Sequence, residues 1–181
     1  MKALLFPLAV LLVCACGRDE EITRRRVAKD DAPAVAVPAA PAASQALRWT
    51  LPAGWKELPG AGMRLSTMLP PGAGKAEVTV IALPGDVGGE LANVNRWRGQ
   101  IGLAAFDDAA LVKARASASS KAGTVAVYDF TSEGVKKTRL VAGTISSGGR
   151  TWFLKLMGDE APVAAARPAF MTLLGSLHGS R

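Results

Sequence analysis

The stretch Arg150-Thr151-Trp152-Phe153-Leu154-Lys155-Leu156-Met157 constrains the fold more than any other part of the chain. As a strand, it sends Trp152, Leu154 and Leu156 to one face, and Phe153 and Met157, together with Lys155, to the other. Residues 77–83, Glu-Val-Thr-Val-Ile-Ala-Leu, are likewise apolar on both sides. A sheet with two apolar faces must be covered on both. The two segments predict an α+β fold, a single three-layer α/β/α sandwich around a central antiparallel sheet.

Glycine and proline divide the rest of this region into short elements. Strands are expected over residues 47–51, 63–69, 77–83, 123–131, 137–146 and 150–157. The segments 70–74, 132–134 and 147–149 read as hairpin turns between neighbours. One helix is expected over 89–101, where Leu91, Val94, Trp97 or Arg98, and Ile101 recur at helical spacing. A short helix near 109–114 would be capped by Asp107 and Asp108. A last helix follows Pro168, a favoured first-turn residue, and carries Phe170, Leu173, Leu174 and Leu177.

The other end of the chain has a different character. Lys2 precedes an unbroken apolar run from residue 3 to 15, then Cys16, Gly17 and the charged Arg18-Asp19-Glu20-Glu21. The run is shorter than the roughly 20 residues a spanning helix needs, and it fits a secretory signal. Its close, Val13-Cys14-Ala15-Cys16, resembles the bacterial lipobox, with a small residue before the modified cysteine. Bulky Val13 makes Cys14 the poorer anchor. The resemblance implies removal of residues 1–15, a diacylglyceryl group on Cys16 and an acylated new amino terminus. Several acyl chains, at about 0.8 kcal/mol for each buried methylene, hold a membrane firmly. Gly17 after the anchor is compatible with outer-membrane sorting, facing the periplasm.

Residues 16–45 read as a tether. Charges of both signs in 18–31 cancel, and 32–43 is almost entirely Ala, Pro and Val. Pro33, Pro38 and Pro41 deny helix and sheet their hydrogen bonds, so this part is expected to be an extended spacer. The formal charge of the whole chain is +7. Without Lys2, and with a neutral tether, residues 46–181 keep +6 of it. Those charges are scattered, except at Lys136-Lys137-Arg139 and Arg96-Arg98, and an exported chain argues against a nucleic-acid partner.

The domain 46–178 also carries a resemblance. Trp49-Thr50-Leu51-Pro52-Ala53-Gly54-Trp55 looks like the opening of PsbP-like domains, a superfamily that includes DcrB lipoproteins and Mog proteins. Residues 150–156 resemble its last strand, and Pro168-Ala169-Phe170 through Ser176-Leu177 its closing helix. The resemblance implies a largely non-enzymatic domain and brings no catalytic residues with it.

Composition narrows the chemistry further. The chain has two cysteines, Cys14 and Cys16, so cleavage and lipidation would leave no free thiol for a nucleophile, a zinc–thiolate site or an iron–sulfur cluster. The one histidine, His178, falls at the end of the last expected helix, a poor place for a catalytic triad. The acids are dispersed, so no metal site, cofactor or catalytic residue is assigned. Gly72-Ala73-Gly74-Lys75 lacks the first glycine and the Ser or Thr of a phosphate loop. The loop Gly85-Asp86-Val87-Gly88-Gly89 could turn backbone N–H groups toward an anion, but it reads more simply as a flexible helix cap.

The remaining candidate is the polar surface of the 89–101 helix: Asn93, Asn95, Arg96, Trp97, Arg98 and Gln100. On helical spacing, Asn93, Arg96 and Gln100 would share the outer face. Arg and Trp are enriched where proteins meet partners. The sequence therefore predicts an envelope lipoprotein, membrane-anchored through its lipid, whose domain binds an envelope protein or another envelope component. A small-ligand binder, or a hydrolase using polar residues of this helix, is the alternative. A hydrolase should show a pocket with a carboxylate beside Arg96 or Arg98.

Overall fold

The computed structural model describes residues 47–72 and 74–179. The expected signal segment, Cys16 and the tether lie outside the described residues. The elements run β1 (Leu47–Arg48), β2 (Lys56–Pro59), β3 (Arg64–Leu69), β4 (Ala76–Pro84), α1 (Glu90–Gln100), α2 (Asp108–Ala114), β5 (Ala116–Ser120), β6 (Gly123–Thr131), β7 (Thr138–Ser147), β8 (Arg150–Asp159), α3 (Glu160–Gly175) and β9 (His178–Gly179). Seven strands form one antiparallel sheet in the order β2-β3-β4-β8-β7-β6-β5, and β1 pairs with β9 apart from it. Three helices pack with this open sheet among the described residues. None is long and apolar enough to cross a membrane.

β8 sits at the centre, paired with β4 on one side and β7 on the other. Its alternation is the one expected. Trp152, Leu154 and Leu156 join an apolar cluster with Val78 and Val80 of β4, Val125 and Val127 of β6, and Val163, Phe170, Leu173 and Leu174 of α3. Phe153 belongs to a second cluster with Ala126, Tyr128 and Phe130 of β6, Val94 and Trp97 of α1, and Leu111 of α2; Met157 packs against it. Each large side chain fully withdrawn from water contributes about 1.5–3 kcal/mol, so covering both faces outweighs a one-sided sheet of the same length.

The structure corrects four expectations. The strand at residue 47 ends at Arg48, because Pro52 lies just beyond and its carbonyl closes a turn to Trp55 N at 3.2 Å. β2, Lys-Glu-Leu-Pro, is an exposed edge strand whose charges and proline hide any alternation. β5, Ala-Ser-Ala-Ser-Ser, is the other edge, and its small residues carry no apolar signal. α3 starts at Glu160 rather than at Pro168, with Pro162 in its first turn and Pro168 inside it. An internal proline costs a helix about 3 kcal/mol. Val163 and Ala166 before it, and Phe170, Leu173 and Leu174 after it, keep one buried stripe running through the break.

Close approach fixes two glycines. A Cβ on Gly143 of β7 would lie 2.8 Å from a Leu174 methyl, so α3 rests directly on the sheet there. A Cβ on Gly158 of β8 would lie 1.8 Å from the Lys75 carbonyl oxygen, at the mouth of the β4–β8 pairing.

One charged cluster ties α3 to the sheet. Arg139 makes two hydrogen bonds to Asp129, at 2.8 and 2.7 Å, and Arg167 Nε donates to the same carboxylate at 2.7 Å. Burial pushes the Asp129 carboxyl up, but the two guanidinium partners outweigh it and hold it below the usual carboxylate range. A carboxyl depressed by folding adds stability above its unfolded pKa of about 3.9, and loses it as pH falls through the folded value. Asp129→Asn is therefore expected to cost about 1 kcal/mol at neutral pH. The gap between variant and wild type should narrow as pH falls below the unfolded carboxyl's range and close below the depressed folded value. Urea melts across pH check this, and a gap that stays constant into acid would contradict it.

Candidate functional site

The expected binding residues all lie on α1, whose contacts follow from the loops at its two ends. The helix begins after Gly89, which offers no side-chain cap. Asn93 instead ties the preceding loop to the helix: its Nδ2 donates to Val87 O at 2.7 Å and Gly89 O at 2.8 Å, and its Oδ1 accepts from Arg96. Asn93 is only 7% exposed, so it does not share the outer face, as helical spacing suggested. The Val87 and Gly89 carbonyls, the latter also accepting the Asn93 backbone N–H at 3.2 Å, drew it inward.

Asn95 holds the segment after the helix through both amide atoms, donating to Phe106 O at 2.9 Å and accepting from Phe106 N at 2.7 Å. Arg98 donates to Ala104 O at 2.7 Å and lays its guanidinium 3.5 Å over the Phe106 ring. Trp97 is buried between Tyr128 and Phe153, at centroid distances of 6.3 and 6.0 Å. Gln100 accepts from Lys155 Nζ at 2.8 Å. Asp107 caps α2 as expected, accepting from Ala110 N at 2.8 Å. The candidate residues thus divide. Asn93, Asn95, Trp97 and Arg98 fasten loops and core, while Arg96 donates to Asn93 and Gln100 meets the charged Lys155.

At its N-terminal end α1 borders a cleft of about 410 Å³. The floor is laid by the face of the sheet that packs on α1. There Thr124, Thr144, Ser146 and Thr151 occupy the ends of β6, β7 and β8, where alternation changes from apolar to hydroxyl-bearing residues. Trp97 and Asn93 form the inner wall, and Asp86 stands at the rim. Glu90 crosses the mouth, with one carboxylate oxygen accepting from Tyr128 OH at 2.7 Å and lying 3.1 Å from Arg115 Nε. Burial and the neighbouring Glu90 push the Tyr128 phenol well above its ordinary value, so it stays a donor. A cleft of this size falls within the roughly 300–1,000 Å³ of small-molecule sites.

Of the cleft's lining, the sequence had singled out Asn93 and Trp97 for binding, with Asp86 in the flagged loop. Glu90, Arg115 and the four hydroxyl residues escaped notice because they are spread over α1, the end of α2 and three strands. The legible signal was the switch from Val or Ala to Thr or Ser at alternate strand positions, at Thr124 and Ala126 and again at Ala142, Thr144 and Ser146. Among the described residues no group of three His, Cys, Asp or Glu side chains converges as metal ligands do. His178 lies in β9, its Nδ1 3.0 Å from Ser176 O. Lys155 forms the centre of a second hollow, at the other end of α1.

No family model matches the sequence, and no curated protein matches it. Solved structures do. LpqN of Mycobacterium tuberculosis, described as involved in cell envelope biogenesis, superposes with a TM-score of 0.50 at 16% identity, over 76% of this chain and 85% of LpqN. A protein of Bacteroides thetaiotaomicron VPI-5482 gives a TM-score of 0.47 at 10% identity over 75% of this chain. The chain spans 45% of the length of that protein. At these identities the likeness is one of fold. The open antiparallel sheet with its packed helices is an architecture that an envelope-biogenesis protein also uses.

Proposed function

We propose that the chain is an exported envelope lipoprotein, anchored through Cys16 and tethered by residues 16–45, whose domain is a non-enzymatic binding module. The cleft at the start of α1 seats its ligand, an envelope component. Two separate apolar clusters, one with α3 and one with α1 and α2, support a three-layer α/β/α sandwich of the PsbP-like type. The fold shared with LpqN supports an envelope role, and Gly17 supports the outer membrane, facing the periplasm.

The observation that carries the binding reading is the concave floor with the hydroxyls of Thr124, Thr144 and Ser146, beside Thr151, whose own hydroxyl donates to Gly85 O at 2.7 Å. A module for a flat protein partner would present a level patch, whereas a hydroxyl-lined hollow suits a smaller polar molecule. Hydrolysis finds less support. A general base must be free to take a proton, and the Glu90 carboxylate already serves Tyr128 and Arg115. Arg96 and Arg98, on which the hydrolase alternative depended, bond to Asn93 and Ala104 instead of flanking a carboxylate.

The test uses the full chain, purified in detergent, with peptidoglycan sacculi and outer-membrane glycolipid as probes. Co-sedimentation with one of them is expected, and Ser146→Trp should weaken it at least tenfold by filling the cleft from its exposed rim. Ser146 is a surface position, so stability should change by no more than about 0.5 kcal/mol. Undiminished binding by Ser146→Trp would move the site elsewhere, and failure to bind either probe would count against an envelope polymer or glycolipid as ligand. Cys16→Ser should abolish lipid labelling and membrane retention; labelling that persists would reassign the anchor to Cys14.

A further inference from the structure

Lys155 occupies a place where the sheet calls for an apolar side chain. It lies on the central strand β8, and its neighbours along the strand on the same face are Phe153 and Met157. Its ammonium has three donors. One goes to Gln100 Oε1 at 2.8 Å, and no carboxylate lies within ion-pair distance of it among the described residues. Glu77, the acid that shares its hollow, faces Arg64 at 3.5 Å instead.

Lys155 lines a hollow of about 520 Å³ formed by β3, β4 and β8. Arg64 and Lys75 line it with Lys155, against the single acid Glu77, while Leu69 and Met157 supply apolar surface. Burial lowers the affinity of Lys155 for its proton; repulsion from Arg64 adds to this, Glu77 opposes it, and Arg96 adds more. A half-buried cation with spare donors, among like charges and without a counter-ion, is costly for a fold to retain.

We propose that this hollow is a second binding site, for a phosphate-type oxyanion held between Lys155 and Arg64. Gln100 aims the ammonium, and Arg96 adds positive field from α1. Leu69 and Met157 leave room for an apolar remainder, so the same chemistry could come from free phosphate or from a phospholipid head. The site is separate from the hydroxyl-floored cleft, and neither depends on the other.

Amide NMR of the full chain in neutral detergent tests it, with shifts at Thr79 and Met157 as the readout. The probes are inorganic phosphate and short-chain phosphatidylglycerol. Saturable shifts with phosphate alone support the free anion, and at least tenfold tighter binding of the lipid supports the head group. Lys155→Met should abolish the shifts while leaving the melting temperature unchanged or higher, because it removes a charge and keeps the volume. Glu77→Gln, at a half-exposed position, should tighten binding by several fold by removing the competing anion, and covers the case in which the lysine variant folds poorly. Absence of saturable shifts with both probes, or binding that Lys155→Met and Glu77→Gln leave unchanged, overturns the proposal.

Discussion

Trp152→Ala is expected to destabilise the domain by about 3–5 kcal/mol, the range for truncating a buried aromatic. Trp152 is 3% exposed and stands opposite Ala82 of β4 and Ile145 of β7, inside the cluster that α3 covers. Three costs combine. The indole's transfer free energy is lost, and a cavity opens where strands on both sides prevent collapse. In addition, the Ser147 carbonyl loses the Trp152 Nε1 donor it holds at 3.1 Å. Urea unfolding should show a lower midpoint at an unchanged slope. A loss below about 1 kcal/mol, typical of exposed positions, would mean that this face of β8 is not covered as described.

Gly158→Ala should be nearly as damaging, although it adds a single methyl. The clash at 1.8 Å is with the Lys75 carbonyl oxygen, and that oxygen also accepts the Asp159 N–H at 2.7 Å. Both sides of the contact are backbone, so relief requires β4 and β8 to part at their first pair. A cost of about 3 kcal/mol or more is expected, the upper end for overpacking. Gly143→Ala is the internal control. Its contacts are with side-chain methyls alone, Leu174 at 2.8 and 3.0 Å and Val125 at 3.1 Å, which can give where backbone cannot, and about 1 kcal/mol should suffice. Equal melting temperatures for the two variants would show that the β4–β8 mouth is looser than its geometry implies.

The central strand was legible in the sequence because burial on both faces leaves a dense apolar run that no turn residue interrupts. The same reasoning failed at the margins. β2 and β5 gain their strand geometry from a neighbour on one side alone, so their residues need satisfy no core, and Lys56, Pro59 or Ser117 give no periodic signal. In α3 a local rule was applied where packing prevails. Pro168 reads as a helix start, yet Val163 and Ala166 are buried with Phe170, and that shared burial carries the helix through it.

The candidate surface illustrates a related limit. Helical spacing fixes which residues share a side, but not which loop lies over that side. Asn93 and Asn95 were selected as unusual polar residues, and they are unusual because the flanking segments 85–89 and 101–107 need their amides. Gln100 was selected for the same reason, and its partner Lys155 comes from a strand far along the chain. Lys155 itself was visible as the one charge on an apolar face, although its environment became evident only when β3 and β4 were set beside β8.

The strand order has a consequence for how such a domain can diversify. β4 and β8 are neighbours in the sheet, and the chain between them, residues 85–149, leaves one side and returns as the whole β5-β6-β7 half. Within each half the strands follow one another through short turns, so register there tolerates little change in length. The segment joining the halves behaves otherwise. Closing a loop costs more only logarithmically as it lengthens, about 0.6 kcal/mol for each doubling, so a dozen extra residues between β4 and β5 would add about half of that. That segment holds α1, which borders the cleft and bonds Lys155 through Gln100, and α2, which leads into Arg115 at the cleft. Insertions and deletions there could reshape what the domain binds while the pairing of β4 with β8, and the core behind it, stayed as it is.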